Sequence, residues 1–280
     1  GEQRFGLRLA GEFSREEVKE AIIQAHQKGA KVYVAVNAIF HNDRVPELND
    51  YLSFLDEAGA DAVVFGDPAV LMAARESAPN MKLHWNTETT ATNHYSCNYW
   101  GRKGAKRAVL ARELNMDSIV EIKEKAEVEI EIQVHGMTCM FQSKRSLIGN
   151  YFEYQGKVMD IEGKKKEKGM YLHDKERGNK YPIFEDENGT HIMSPNDVCI
   201  IDELEDLIDA GVDSFKIEGI LKSVEYMTEV TAMYREAIDL CIADREAYED
   251  KKEQWIERIE QLQPANRSID TGFFFKETVY

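Results

Sequence analysis

The sequence predicts an α/β fold of the TIM-like β/α-barrel type, and two observations carry this prediction. A pattern of Gly, then Ala or Val, then Lys or Asp, and then an apolar run occurs four times, at 28–36, 58–65, 103–111 and 210–219. Each copy follows a helical pattern, so helix and strand alternate as in a parallel sheet. The even repetition favours a closed barrel over an open doubly wound sheet, and no G-x-G-x-x-G fingerprint supports a dinucleotide fold.

The first repeat shows how each unit is built. Val18, Ile22 and Ala25 recur at helical spacing, and Ser14 with Glu17 three residues later forms a capping box. The glycine of each repeat supplies the left-handed turn that ends a helix, and the apolar run after it is typical of a buried strand. Further strands are predicted at 81–85 and 128–134. We therefore predict one β/α-barrel domain over residues 1–280.

Two regions depart from this alternation of helix and strand. Residues 150–195 are charged and rich in turn signals, which predicts an inserted excursion, and the Lys run 164–166 within it is typical of a solvated loop. Residues 220–280 are predicted to form C-terminal helices, ending near 262, and an aromatic tail. Because the tail "TGFFFKETVY" is too apolar to stay in water, we expect it to dock on the barrel.

Composition narrows the class of function. The formal charge of −16 over 280 residues disfavours a broad nucleic-acid surface, which requires basic residues. The four cysteines, Cys97, Cys139, Cys199 and Cys241, are too sparse for a disulfide scaffold and fit a reducing compartment. No run of about 18 apolar residues is present, so we predict a cytoplasmic protein without a membrane span. The chain begins at Gly1 without a methionine, and we expect the natural N-terminus to lie upstream.

Polar side chains cluster where the predicted strands end. The active face of a β/α barrel lies at the C-terminal ends of its strands, so these residues are candidates for a functional mouth. The candidate catalytic residues are His135, Arg112, Glu113, Glu218 and Lys222, and the candidate ligand-binding residues are Asn37, Glu88 and Lys216. We expect Asn37, Glu88, Arg112, His135 and Glu218 to converge on one cavity.

These charges have two interpretations. Strand ends are polar wherever loops begin, and charges beside buried strands form structural ion networks. The same Arg and Lys side chains could instead clamp an anionic ligand. On the second interpretation we predict a small carboxylate-bearing metabolite held by a bidentate contact with Arg112.

Blocks along nearly the whole chain resemble peptidase family U32, the collagenase-like proteins. The blocks are, in the family's order, "VYVAVN", "DAVVFGDPAVL", "RAVLARELN", "EIQVHGMTC" and "DSFKIEGILKSVEYM". The resemblance implies one further β/α unit before this stretch in the family, so we expect the barrel to lack its first strand here.

Part of the family signature, E-x-F-x-H-G-x-x-C-x(4)-G-x-C-x-[LM]-S, is present. Glu131, His135, Gly136 and Cys139 match it, and Ser146 stands at the second cysteine position. Many members hold a 4Fe–4S cluster on four cysteines; Cys139 resembles the first and Cys199 the fourth, and the third has no candidate between 150 and 198. We therefore expect no cofactor and no metal, with Cys139 and Cys199 as vestigial cluster positions. A mononuclear zinc site from Cys139, Cys199 and His135 is the alternative, although no short ligand spacing supports it.

The resemblance also implies a function. One branch resembles proteins needed for 5-hydroxylation of the wobble uridine of tRNA, a step associated with prephenate. We expect this chain to be a subunit or accessory factor of such a system, with a prephenate-like carboxylate as its ligand. The sequence leaves open whether the chain is itself an enzyme.

Two other functions remain open. The first is a collagenase-like peptidase, a hydrolase, although no H-E-x-x-H or G-x-S-x-G motif is present. The second is a non-catalytic partner of a cluster-bearing U32 paralogue. Because some members resemble halves of heterodimers, the expected partner is such a paralogue or a second copy of this chain, and tRNA would be reached through that partner.

Overall fold

The computed structural model describes residues 2–7, 13–88, 90–156, 170–176, 178–186 and 188–276. The chain forms two compact units. The first comprises Gly1–Ile132, Asp209–Phe215 and Phe273–Tyr280, and the second comprises Gln133–Ile208 and Lys216–Gly272. The expectation of a single domain over 1–280 stays a prediction.

The first unit alternates helices with short parallel strands. After a 3-10 turn at Gln3–Phe5, its elements are α1 Arg15–Gln27, β1 Tyr33–Val36, α2 Pro46–Ala58, β2 Ala62–Phe65, α3 Pro68–Ser77, β3 Leu83–Trp85, α4 His94–Arg102, β4 Ala105–Val109 and α5 Met116–Lys125. β5, Glu129–Ser143, begins here. The strands pair in parallel in chain order from β1 to the first residues of β5.

The observed positions of these elements agree with those predicted from the sequence patterns. The four repeats end in β1, β2, β4 and β9, and the strands predicted at 81–85 and 128–134 contain β3 and the start of β5. The capping box at α1 is confirmed, because Ser14 Oγ accepts from Glu17 N and Glu17 accepts from Ser14 N. Gly59, with φ of 86°, ends α2 in the left-handed conformation that its repeat predicted.

A mixed α/β fold is confirmed, but a full TIM barrel is not. Within the described residues β1 pairs with β2 and with no second strand, so this set of parallel strands has an edge at β1. Closure into a barrel stays a prediction.

The second unit is built on antiparallel pairing. The continuation of β5 pairs antiparallel with β8, Gly189–Cys199. β8 also pairs antiparallel with β7, Lys180–Asp186, and β7 pairs antiparallel with β6, Met170–His173. α6, Leu147–Tyr154, follows β5. In the predicted excursion at 150–195, the described residues from 170 onward therefore lie mostly in a sheet, and its Lys run 164–166 lies outside the described residues.

Helices complete the second unit. α7, Glu205–Asp209, and β9, Ser214–Glu218, lead to α8, Val224–Ala243, and α9, Arg245–Leu262, and the short β10, Ile269–Asp270, pairs with β8. The C-terminal helices are confirmed, with a break at Asp244, whose side chain accepts from Ala247 N and caps α9. Tyr226, Val230, Tyr234, Ala237 and Cys241 form the buried stripe of α8.

The aromatic tail packs within the first unit at its described residues. Phe274 is buried, and its carbonyl oxygen accepts a hydrogen bond from Met116 N at 2.9 Å. In the described part of the chain, no helix has the length and apolar character that a membrane crossing requires.

Candidate functional site

One buried carboxylate organises the main charge cluster of the second unit. Asp197 in β8 has no exposed surface and accepts hydrogen bonds from Lys222 Nζ and, at 3.0 Å, from Arg267 Nε. Gln263 closes the cluster, since its Nε2 donates to Asp197 Oδ2 at 3.1 Å and its Oε1 accepts from Lys222 Nζ at 2.9 Å. The side chains of Lys222 and Arg267 are only 2% and 8% exposed. We call these four residues the Asp197 cluster, and it carries two cations for one carboxylate.

Burial and contact set the protonation of this cluster. Burial raises the pKa of Asp197, but hydrogen bonds from Arg267 and Lys222 outweigh it and hold the pKa below its ordinary value. Burial lowers the pKa of Lys222, and its hydrogen bond to Asp197 opposes that change. Asp197 is therefore ionised at neutral pH and stabilises the charge on both neighbours.

Lys222 and Arg267 of the Asp197 cluster line a cavity of about 480 Å³, which is large enough for a small metabolite. Its apolar lining includes Met137, Phe184 and Leu221, and its charged lining consists of Lys180, Lys222 and Arg267. None of the described residues that line it is acidic. Because Asp197 offsets only one of the two buried cations, the cavity keeps a positive charge.

A constrained turn positions Lys222 at this cavity. Leu221 has a φ of 59°, a left-handed conformation that is uncommon for a residue with a side chain, and is 57% exposed. Ser223 then caps α8, its side chain accepting from Tyr226 N at 3.2 Å. Backbone strain of this kind is concentrated at functional sites.

His135 lies beside the Asp197 cluster in the second unit, with a tyrosine at each ring nitrogen. Tyr226 OH is 2.7 Å from Nε2, and Tyr234 OH is 3.4 Å from Nδ1. The Tyr234 hydroxyl donates its one proton to the carbonyl of Val134 at 2.9 Å, so it accepts from His135 Nδ1–H. Nε2 is then the acceptor, and Tyr226 donates to it.

This environment keeps His135 neutral. Burial lowers its pKa to about 4, with a further lowering from Lys222 and an opposing effect from Asp197. The ring of Tyr226 also lies 4.5 Å from Lys222 Nζ, a cation–π contact. His135 and Tyr226 thus link the core of the second unit to the cavity lining.

The backbone of β5 requires glycine at position 136, next to His135. Its φ is 98°, and a Cβ there would lie 2.2 Å from the carbonyl oxygen of Glu218. Only glycine allows β5 to approach β9 this closely. Glu218 itself pairs with Lys216, at 3.1 Å.

The candidates in the first unit are held by local contacts. Arg112 Nη2 lies 3.4 Å from Glu88 Oε2, with both side chains largely buried. Asn37 Oδ1 accepts from Leu7 N at 3.1 Å, and Glu113 is exposed. The structure thus pairs Glu88 with Arg112 in this unit and Lys216 with Glu218 in the other. The convergence of Asn37, Glu88, Arg112, His135 and Glu218 on one cavity stays a prediction.

Sequence reasoning missed two residues that line the cavity, Lys180 and Arg267, and the buried Asp197 that pairs with the lining cations. A signal existed for Asp197, which interrupts the apolar run of "NDVCII" and therefore requires a buried partner. No comparable signal marked Arg267, which lies after the last long helix and reaches Asp197 only through folding.

Comparison with known proteins decides the family. The sequence profile of Peptidase family U32 matches residues 1–279. The chain belongs to peptidase family U32. One U32-type relative, "tRNA hydroxylation protein P2" of Bacillus subtilis (strain 168), is 82% identical over 280 residues, which cover 100% of this chain and 91% of the relative.

More distant relatives carry related names. "tRNA hydroxylation protein P1" of the same Bacillus strain is 34% identical over 275 residues, covering 98% of this chain and 64% of that protein. The "23S rRNA 5-hydroxycytidine C2501 synthase" of Escherichia coli (strain K12) is 30% identical over 248 residues, covering 86% of this chain and 36% of that protein.

The cluster that the U32 resemblance implies does not fit the residues of this chain. His135 pairs with Cys199, and Cys139 pairs with Met193, across β5 and β8. The two thiols are therefore separated by four residues on β5 and six on β8, roughly 13 to 20 Å. Ligands of one zinc ion or one cubane cluster must lie within a few ångströms of the metal, so the zinc alternative is not supported either. In the described ranges, no group of three His, Cys, Asp or Glu side chains could hold a metal ion.

The two cysteines instead have separate environments. Burial raises the pKa of the Cys199 thiol to about 11. Cys139 Sγ donates to the carbonyl of Phe141 at 3.4 Å and lies beside His191. Burial lowers the pKa of His191, but hydrogen bonds to Asp186 and Cys139 outweigh it and raise the pKa to about 9.

Proposed function

We propose that this U32 protein takes part in hydroxylation of tRNA, at the wobble uridine as the resemblance implied. The observation that supports this most is the 82% identity, across all 280 residues, to a protein named for tRNA hydroxylation. A relative named as a 5-hydroxycytidine synthase of rRNA is consistent with hydroxylation of a pyrimidine ring as shared chemistry.

The cavity beside Asp197 is the proposed ligand site of this system, and its ligand is a small carboxylate, prephenate-like as the resemblance implied. Two of the three Lys222 N–H donors go to Asp197 and Gln263, which leaves the third for a ligand. The exposed Lys180 adds a second positive group at the edge of the cavity. This proposal transfers the anion-holding role from Arg112, which is paired with Glu88, to Lys222 and Arg267.

The proposed partner is a paralogous U32 chain. One Bacillus strain contains two relatives of this chain, named P1 and P2, at 34% and 82% identity. Cys139 and Cys199 lie too far apart along β5 and β8 to share one cluster, so in this proposal a paralogue with four cysteines supplies the redox centre. Affinity purification of this chain should recover that paralogue in stoichiometric amount, and recovery of this chain alone would contradict the partnership.

Deletion of the gene tests the proposed function. Nucleosides from total tRNA are measured by mass spectrometry in the single deletion, in a deletion of the paralogue, and in the double deletion. Loss of the hydroxylated wobble uridine in the single or double deletion, restored by this chain on a plasmid, is the expected result. An unchanged nucleoside profile in all strains, with peptide hydrolysis by the pure protein, would favour the hydrolase instead.

A further inference from the structure

The stretch 89–112 has a charge balance opposite to that of the whole chain. The 280 residues include 51 Asp and Glu, so 24 residues of average composition would contain about four acids. This stretch contains none, and it contains five basic residues, namely Arg102, Lys103, Lys106, Arg107 and Arg112.

Two of these cations are committed to the interior of the first unit. Arg107 is paired with Glu129 and Glu131, and Arg112 with Glu88. The remaining three are near the outer end of α4, where Arg102 is 63% exposed and lies 3.8 Å from the equally exposed Glu127. A pair this exposed is weak, so Arg102 remains available to a polyanion.

Exposed aromatic rings share a face of α4 with these cations. Tyr95 is 75% exposed and Tyr99 is 49% exposed. Arg102 and Lys103 follow at positions seven and eight residues after Tyr95, on the same side of the helix. Lys103 Nζ lies 5.5 Å from the Tyr99 ring centre. We call Tyr95, Tyr99, Arg102 and Lys103 the α4 stripe.

A neighbouring helix extends this surface. Arg75 of α3 donates from Nη2 to the carbonyl of Lys103 at 2.8 Å, which places a further guanidinium beside the stripe. The nearest acids on α5 are partly neutralised, since Glu121 pairs with Lys125 at 2.6 Å. Aromatic rings interleaved with cations, with no acid in the helix α4 itself, match the chemistry of a single-stranded nucleic acid.

We propose that the α4 stripe is a contact surface for single-stranded RNA. Unstacked bases lie on the rings of Tyr95 and Tyr99, and backbone phosphates lie at Arg102, Lys103 and Arg75. The two rings are about 6 Å apart along the helix axis, which allows each to take a separate base. The proposal rests on the proposed function in one respect, because a tRNA loop is the RNA that would present unpaired bases here.

Fluorescence anisotropy with a labelled anticodon stem-loop RNA, carrying uridine at the wobble position, tests the surface at several salt concentrations. Tyr95→Ala with Tyr99→Ala should weaken binding about a hundredfold, since each of the two stacked bases is expected to contribute about a tenfold factor. Arg102→Gln with Lys103→Gln should weaken binding and reduce the salt dependence by about two phosphate contacts. A duplex RNA of the same length should bind more weakly than the stem-loop.

Matched controls come from elsewhere in the chain. Tyr151→Ala with Tyr154→Ala removes two exposed tyrosines of α6, and Lys19→Gln with Lys28→Gln removes two exposed cations near α1. Both should bind like the wild type. The proposal is overturned if the wild type does not bind the stem-loop, if control and stripe variants lose equal affinity, or if the stripe variants lose only the paralogue and keep the RNA.

A cellular assay separates this proposal from the proposed function. If deletion abolishes tRNA hydroxylation and the Tyr95→Ala/Tyr99→Ala chain restores it fully, the RNA surface is wrong and the function stands. If deletion of both paralogous genes leaves the modification unchanged, the proposed function fails, and the anisotropy result still decides whether the stripe binds RNA.

Discussion

Each unit of the protein contains a charge cluster of three ionised side chains, and the two clusters have opposite signs. In the first unit, Arg107 donates from Nε to Glu129 and from Nη1 to Glu131, both at 2.9 Å, and Ser214 bonds to Arg107 and Glu131. This cluster has two carboxylates for one cation, and its excess charge belongs to Glu129, which is 51% exposed to water.

In the second unit, Asp197 is the single carboxylate between Lys222 and Arg267, and all three side chains are nearly or fully buried. Little of either cation is exposed to bulk water, so the excess charge faces the cavity. This difference indicates that the cluster of the first unit has a structural role, whereas the cluster of the second unit can bind a ligand. Excess charge at the surface is solvated, whereas excess charge kept out of water requires a counter-ion, and a bound anion provides one.

The largest expected effect comes from removing the central carboxylate. Asp197→Asn leaves two buried cations without an anion, so the free energy of unfolding should fall by about 3–5 kcal/mol. Glu131→Gln in the first unit leaves Arg107 paired with Glu129 and should cost only about 1–2 kcal/mol. Urea unfolding at pH 7 measures both, and equal losses would contradict the distinction between the two clusters.

Removing one cation should cost less than removing the anion. Lys222→Met leaves Asp197 and Arg267 as a neutral pair and keeps the apolar length of the side chain, so the loss of stability should be about 1–2 kcal/mol. We also predict that added prephenate raises the melting temperature of the wild type and that this variant loses the effect. If the loss of stability were as large as that of Asp197→Asn, the charge of Lys222 would be balanced by its neighbours as fully as the charge of Asp197 is.

The smallest expected effect is a change in the pKa of His135, which depends on the excess positive charge at the cavity. This pKa is about 4 in the folded protein, because burial lowers it, Asp197 opposes that change, and Lys222 lowers it further. Because the folded pKa lies below the unfolded value of about 6.5, the related stability is complete above pH 6.5 and is lost as pH falls toward 4. Lys222→Met should raise the His135 pKa by about half a unit in an NMR titration. A lower pKa in this variant would contradict a positive cavity.

The sequence predicted the repeating elements because their signals are local. The capping box of Ser14, the glycine that ends α2, and the apolar strands each depend on residues within a few positions. The antiparallel sheet at β6, β7 and β8 was not predicted, because β6 is largely exposed and buried residues do not alternate regularly along β7 and β8, which removes the pattern that marks a strand.

The site was predicted in part, and for a similar reason. Lys222 and His135 were identified from strand and helix ends. Asp197 and Arg267, by contrast, are 70 residues apart and meet only in the folded chain. A single sequence contains no signal for such a pair beyond a charge in an apolar strand, so the sequence predicted the anion contact at Arg112, whereas the proposal from the structure places it at Lys222 and Arg267.

The central claim is that the cavity beside the Asp197 cluster is where this protein acts, and Leu221→Trp tests it most directly. Leu221 lines the cavity, is exposed and takes no part in the ion network, so a larger ring should fill the space without unfolding the chain. The variant is expressed in the strain without the gene, its level and melting temperature are checked against the wild type, and tRNA nucleosides are measured by mass spectrometry. We predict loss of the hydroxylated uridine at wild-type protein level; full hydroxylation with the cavity filled would contradict the account.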